Sequence, residues 1–314
     1  MRQYDVITFG DTCVDLIVSG GDIVPRFGQV EQLVGDYALE IGGSCCLFAC
    51  QAARLGLHVG ILGRVGNDAF GQLILDRLEG CGVDTAHVLT DPSLKTGLGI
   101  ALCRADDRAI LTYMGSISAI HIDDVTDAFL ASARHLHYGS YFLHTGLMPH
   151  APAILRRARA LGLTVSLDTN WDPAERWNST LQEALSLTDL VFPNEQEALH
   201  ISGASTVQHA VDAFIARGVS VVALKQGARG ARAYDGRDTY HCSVEPAIGG
   251  DSIGAGDSFD AGFVAGWLRG LGIQECLELA CACGAAVAGA VGGLRGQPLR
   301  DQIMGSVGTV GECL

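Results

Sequence analysis

The chain has 314 residues, 48% of them hydrophobic and only 18% charged, with 41 glycines and a formal net charge of −14. That length can bury a substantial core, and the charge poverty excludes a disordered tail or a coiled coil. The acidity removes any electrostatic attraction to a nucleic-acid backbone or an anionic membrane.

The first apolar strand is predicted at Val6–Gly10. Asp5, Asp11 and Asp15 interrupt the apolar N-terminus, so no secretory leader is expected. Residues from about 11 to 38 alternate in polarity without a helical pattern, and Val14–Val18 reads as a strand. Gly42-Gly43 precede a helix over Ser44–Leu55. The pair either brings backbone amides onto a ligand hydroxyl or forms a plain tight turn. A strand at Val59–Val65 runs into the glycine-rich turn Gly63–Gly71, read as structural, and a helix over Ala69–Glu79. The segment from about 95 to 118 again lacks a helix. Gly97–Cys103 and Ile110–Met114 read, with Val14–Val18, as antiparallel strands, the last two joined across Ala105–Arg108.

From there strands and helices alternate: Leu136–Gly139, Ala151–Leu161, Thr164–Asp168, Leu181–Leu187, Leu190–Pro193, Val207–Arg217 and Val219–Lys225. Gly56, Gly162 and Gly218 stand where helix-terminating glycines belong. Near-continuous apolar strands between helices predict an α/β fold with a parallel sheet covered on both faces. The two helix-free segments predict a small sheet lying over the ligand site, as a lid on a single domain spanning 1–314.

Eleven cysteines in no CxxC spacing read as buried thiols of a reducing cytosol rather than disulfides. Cys281-x-Cys283 is the one spacing with any leaning toward a metal, and buried small hydrophobes explain it better. The uncharged run Leu279–Leu294 is too short, and too rich in Ala, Gly and Cys, to span a bilayer. A tightly packed internal helix fits it, and a cytoplasmic protein is expected.

The strongest chemical motif is Gly254-Ala255-Gly256-Asp257, which opens a helical pattern. Consecutive N–H groups at a helix N-terminus bind anions, and small residues let a phosphate approach. Asp257 is then placed to take a proton from a hydroxyl nucleophile, or else it merely caps the helix. The spacing is neither GxGxxG nor a P-loop, and the chain has only two lysines, Lys95 and Lys225. A nicotinamide dehydrogenase is therefore not expected.

Taken together and in order, these motifs resemble the ribokinase-like carbohydrate kinases of the phosphofructokinase-B type. Gly42-Gly43 through Arg54-Leu55-Gly56, with Gly63-x-Val65-Gly66-x-Asp68, resembles the N-terminal signature. Asp251-Ser252-Ile253-Gly254-Ala255-Gly256-Asp257 resembles the C-terminal one, with Ser for Thr. The likeness covers about residues 4 to 300 and implies a doubly wound, mostly parallel sheet with a β-sheet lid. It implies ATP-dependent phosphorylation of a hydroxymethyl group on a neutral sugar or nucleoside, with Mg2+, and a homodimer through the lid.

Residue by residue, the resemblance makes Asp257 the base and Gly254, Ala255 and Gly256 the anion hole. It assigns Asp15, Gly42, Gly43 and Ser44 to the sugar, and Asn194, Lys225, Gly227 and Cys281 to the nucleotide. Glu197 would organise Mg2+ indirectly, although Asn194 and Glu197 also have the spacing of a capping box. Asp251 and Ile253 would border a monovalent cation such as K+. Asp168-Thr169-Asn170 is similar to the D-x-N of sugar kinases, with Asp172 where a basic residue is common. Leu47, Ser44, Cys281 and Met114 depart from common family residues. Two other readings are a catalytically silent sugar- or nucleotide-binding regulator and a ketodeoxy sugar-acid kinase. The helix N-terminus is expected to keep Asp257 ionised.

Overall fold

The computed structural model describes residues 2–21, 23–104, 107–177, 180–247 and 250–307. Among these residues nine strands form one sheet: β1 (Tyr4–Phe9), β4 (Val59–Gly66), β5 (Asp84–Asp91), β8 (Ala133–Tyr138), β9 (Thr164–Leu167), β10 (Leu190–Val191), β11 (Val221–Lys225), β12 (Ala231–Tyr234) and β13 (Thr239–Cys242). Their order is β13-β12-β11-β10-β9-β8-β1-β4-β5, parallel except at the β11–β12–β13 edge. The remaining strands, β2 (Cys13–Ser19), β3 (Asp36–Gly42), β6 (Gly97–Arg104) and β7 (Asp107–Tyr113), form a second sheet in the order β3-β2-β6-β7.

Side-chain alternation along the main strands divides the core in two. Val6 and Ala223 face one cluster, with α1 (Ser44–Arg54), α2 (Ala69–Gly80), α8 (Ala255–Leu268) and α9 (Ile273–Ala288). Ile7, Phe9 and Leu224 face the other, with α3 (Asp127–Ala131), α4 (Ala151–Ala160), α5 (Leu181–Leu185), α6 (Glu195–Ser202) and α7 (Val207–Ala216). A short α10 (Arg300–Val307) closes the described chain. Helices on both faces bury the central parallel strands, as their unbroken apolar sequences demand, while the polar edge strand β5 stays partly exposed. The small-residue stretch Leu279–Leu294 forms an internal helix only as far as Ala288, where α9 ends; the rest is turn and bend. Helix α9 approaches α8 so closely that a Cβ on Gly262 would lie 2.8 Å from the Ala280 Cα.

Three expectations need correction. Val14–Val18 lies in β2, which pairs with β6 in parallel over Cys13–Ser19 and Gly97–Cys103, not antiparallel. The chain reaches β6 only after β3–β5 and their helices, a long crossover that permits the parallel pairing. The second sheet also extends past residue 38, because β3 continues to Gly42 alongside β2. Finally β7 starts at Asp107, inside the expected Ala105–Arg108 connection; Ala105 and Asp106 lie outside the described residues. The described cysteines are all free, and no helix among the described residues is long and apolar enough to cross a membrane.

Candidate functional site

Strand order reverses at β1 and β8: from β1 the chain builds outward to β5, then returns to β8 and builds the other way. Ligands bind at the carboxyl ends of strands at such a point. Asp11, just beyond β1, is buried there and organises the floor. Its Oδ2 accepts from the Ser44 N–H (2.8 Å) and the Ser140 hydroxyl (2.6 Å), and its Oδ1 from the Cys45 N–H (2.9 Å). Asp11 thus caps α1 from a distance, because Gly43 occupies the N-cap position without a side chain and with φ 84. A Cβ on Gly43 would overlap the Asp11 carbonyl oxygen. Close approach of the Asp11 backbone therefore requires a glycine at position 43. Asn170 completes the floor, its amide donating to Ser44 Oγ (2.7 Å) and Ser140 Oγ (2.9 Å).

Asp11 and Ser140 were missed as site residues from sequence. The only signal was an aspartate following the first buried strand, in a stretch read for Asp15 alone. Asp15, on β2, sits against Gly42 and Gly99, where any Cβ would overlap its carboxylate. Burial and the Asp11 charge push Asp15 up to about 7.

At the facing side, Gly254 is the N-cap of α8 with φ 74 and no side-chain cap. Asp257 is third in the first turn rather than the cap, so simple capping does not account for it. The expectation that the helix keeps it ionised is overturned: burial and the charges of Asp168 and Asp11 push it up to about 7. A helix terminus supplies ~0.3–1 kcal/mol, too little to offset them. Leu47 packs behind this turn; a Cβ on Gly254 would lie 2.9 Å from its Cδ1.

Lys225, at the end of β11, commits its ammonium to Asp168 (2.7 Å) and Asp260 (3.1 Å). The pairing raises the Lys225 pKa; Asp168 is held below the usual carboxylate range, although burial opposes this. Asp260 is pushed up, because burial is added to two carboxylates sharing one ammonium. Asn194 and Glu197 do form a capping box, with both bonds at 2.9 Å. Burial and the Asp168 charge push Glu197 up to about 7.

These groups line two adjoining cavities. The larger, about 890 Å³, is bordered by Asp15, Gly43, Ser44, Asn194, Glu197, Ile253, Gly254 and Asp257. The smaller, about 550 Å³, is bordered by Gly227, Ala255 and Cys281, with apolar Val244, Ala285 and Ala288. Lys225, Ser252 and Gly256 border both. Gly42 and Asp251 border neither.

Two metal sets can be tested against this geometry. Asp251 spends Oδ1 on the Ile253 N–H (3.0 Å) and Oδ2 on the Gly292 N–H (2.8 Å), and its carbonyl accepts from Arg108 (2.9 Å). Each of these oxygens keeps a further lone pair beyond the bond named, and the Arg108 guanidinium lies against the same loop. Asp11, Cys45 and His144 also cluster, but His144 Nε2 accepts the Asp11 N–H (3.0 Å) and the Cys45 thiol donates to the Phe9 carbonyl (3.1 Å). That cluster is a hydrogen-bonded plug, not a coordination sphere.

Comparison with known proteins agrees with this layout. The model of the pfkB family carbohydrate kinases matches residues 3–299. The chain is 27% identical to the 2-dehydro-3-deoxygluconokinase of Bacillus subtilis (strain 168), over 96% of this chain and 94% of that one. It is 32% identical to the ATP-dependent ribose-1-phosphate kinase of Halopiger xanaduensis, over 90% and 93% respectively. A candidate ribokinase II of E. coli, solved in complex with ATP and Mg2+, superposes with a TM-score of 0.84 at 27% identity, covering 97% of this chain and 99% of that one.

Proposed function

The chain belongs to the pfkB family of carbohydrate kinases, and from that premise we propose that it transfers the terminal phosphoryl group of ATP to a hydroxymethyl group on a neutral sugar or nucleoside. The observation that carries this reading is the meeting of the two cavities at Gly256, with Asp257 beside it facing the larger one. The smaller, apolar cavity takes the nucleotide and the larger takes the acceptor, under the second sheet acting as a lid.

The acceptor hydroxyl stands at Asp257, which receives its proton as the oxygen attacks the phosphorus, and ADP departs on the smaller side. A base titrating near 7 is matched to neutral operation. Backbone N–H groups in the first turn of α8 hold the transferred phosphoryl group, and a loose transition state asks for such positioning more than for a strong base. Asp15 and the Ser44–Asn170 pair orient sugar hydroxyls. The oxygen donors here fit a hard cation: Glu197 would hold Mg2+ indirectly, and the ion would supply neutralisation of the polyphosphate charge. No K+ step is assigned.

The walls support a neutral acceptor, because the two cations on them are engaged: Lys225 with Asp168 and Asp260, and Arg108 with the Asp251 carbonyl and Ser252. Asp15 and Asp257 border the cavity, Met114 contributes no charge, and Asp172 turns its carboxylate onto loop N–H groups. Coupled ADP release over neutral sugars, nucleosides, a sugar 1-phosphate and a ketodeoxy sugar acid tests the reading. Turnover is expected with a neutral acceptor. Turnover of the anionic compounds alone would overturn the neutral assignment, and ATP binding without any turnover would favour the silent regulator.

The reaction belongs in the cytoplasm, the compartment that holds ATP. The second sheet also exposes Tyr37, Leu111 and Tyr113, an apolar face suited to a second copy of this chain. Sedimentation is expected to show a dimer at micromolar concentration; a single monomeric species would exclude it.

A further inference from the structure

One large aromatic group borders the acceptor cavity and takes no part in the steps above. Trp171 is 44% exposed, yet its position is tightly built. It follows Asn170, which adopts φ 52 while bonding to the floor. The loop then closes around buried Asp172, whose carboxylate accepts the N–H groups of Ala174 (2.9 Å), Arg176 (2.8 Å) and Trp177 (2.9 Å). Trp177 and His200 stack at 5.0 Å, and Trp171 meets both rings edge to face, at 4.9 and 5.4 Å. A hydrogen-bonded loop and two neighbouring rings thus hold an indole open beside Leu143 and Pro173 on the same cavity. That cavity, at about 890 Å³, lies toward the upper end of ligand sites, ~300–1,000 Å³, and a single sugar ring leaves much of it unfilled.

We propose that Trp171 is a stacking platform for a planar group carried by the acceptor, so that the substrate class is a nucleoside or aryl glycoside rather than a free monosaccharide. The reaction in this inference rests on the phosphotransfer reading; the binding does not. The polar floor takes the sugar, and the indole covers the flat substituent, which every base or aryl ring presents as a π-face.

The test compares uridine, phenyl β-riboside and ribose with wild type, Trp171→Ala and Trp171→Phe. Calorimetry is run with ADP present, so that the nucleotide cavity is filled, and ADP release is followed separately. The two substituted acceptors are expected to bind more tightly than ribose. Trp171→Ala should raise their Kd and KM about tenfold, within the range of base–aromatic stacking, leaving kcat and the ribose constants within about twofold. Trp171→Phe should recover most of the loss. Ribose binding as tightly as the others, or equal losses for all three compounds, would overturn the inference. If only one substituted acceptor responds, it identifies which source the platform serves. If no acceptor yields ADP, the phosphotransfer reading falls, and calorimetry still decides the role of Trp171.

Discussion

Asp257→Asn is expected to lower turnover by at least about 10²-fold, the lower end of a general base's contribution, with ATP affinity nearly unchanged. Asparagine keeps the size and the hydrogen-bonding reach, so a loss confined to kcat reports proton acceptance. In the wild type, Asp257 pushed up to about 7 is protonated below that pH. The rate should therefore fall on the acid side of neutrality, and the variant's residual rate should lose that limb. Stability should move the opposite way. A carboxyl whose folded pKa lies above its unfolded 3.8 stabilises the fold at low pH, and the contribution is lost as pH rises through 7. The variant should consequently melt higher than wild type at pH 8 and about equally at pH 4. Near-normal turnover by Asp257→Asn would remove the residue from its proposed role.

Lys225→Met should produce the largest loss of stability. The substitution preserves the aliphatic stem and removes the ammonium between Asp168 and Asp260, both buried. Breaking a buried ion pair from one side costs about 3–5 kcal/mol, a large part of the ~5–15 kcal/mol that holds a typical protein folded. The Asp168 pKa is depressed in the folded state, so its contribution exists above its unfolded value and fades as pH falls through the folded one. Thermal melts should thus separate variant and wild type widely at pH 7, and converge only below pH 3.8, as pH falls through the depressed Asp168 value. Adding Asp260→Asn should recover part of the loss, since one carboxylate then remains unpaired instead of two. A variant melting within a degree or two of wild type at pH 7 would show that the triad carries no such weight.

The parallel core was legible because buried strands and amphipathic helices carry opposite periodicities, and because Gly56, Gly162 and Gly218 mark helix ends with φ of 87, 78 and 105. The motif order pointed to the turn at Gly254–Gly256, which does open α8. What stayed hidden depends on partners distant in sequence. Nothing in Val14–Val18 announces that its neighbour is β6, some 80 residues later, or in which direction it runs. β5 was overlooked because it is a polar edge strand, Asp84–Asp91, with little alternation to read. Asp11 caps a helix 33 residues away. The elevated Asp257 pKa requires knowing that Asp168 and Asp11 share its pocket. Lys225 was legible as a site residue, but its commitment to two carboxylates was not.

Arg108 gives the two sheets a common fate. From β7 its guanidinium reaches the Asp251 carbonyl (2.9 Å) and Ser252 Oγ (3.0 Å), on the segment that leads into the anion turn. If these are the acceptor compartment and the phosphate-holding turn, as proposed, occupancy of one and order in the other share one fastening. Thermodynamic reciprocity then requires the factor by which acceptor tightens ATP to equal the factor by which ATP tightens acceptor. On the proposed assignment, such coupling would grip the nucleotide best when a hydroxyl is in place to receive the phosphate, and would spare ATP from transfer to water.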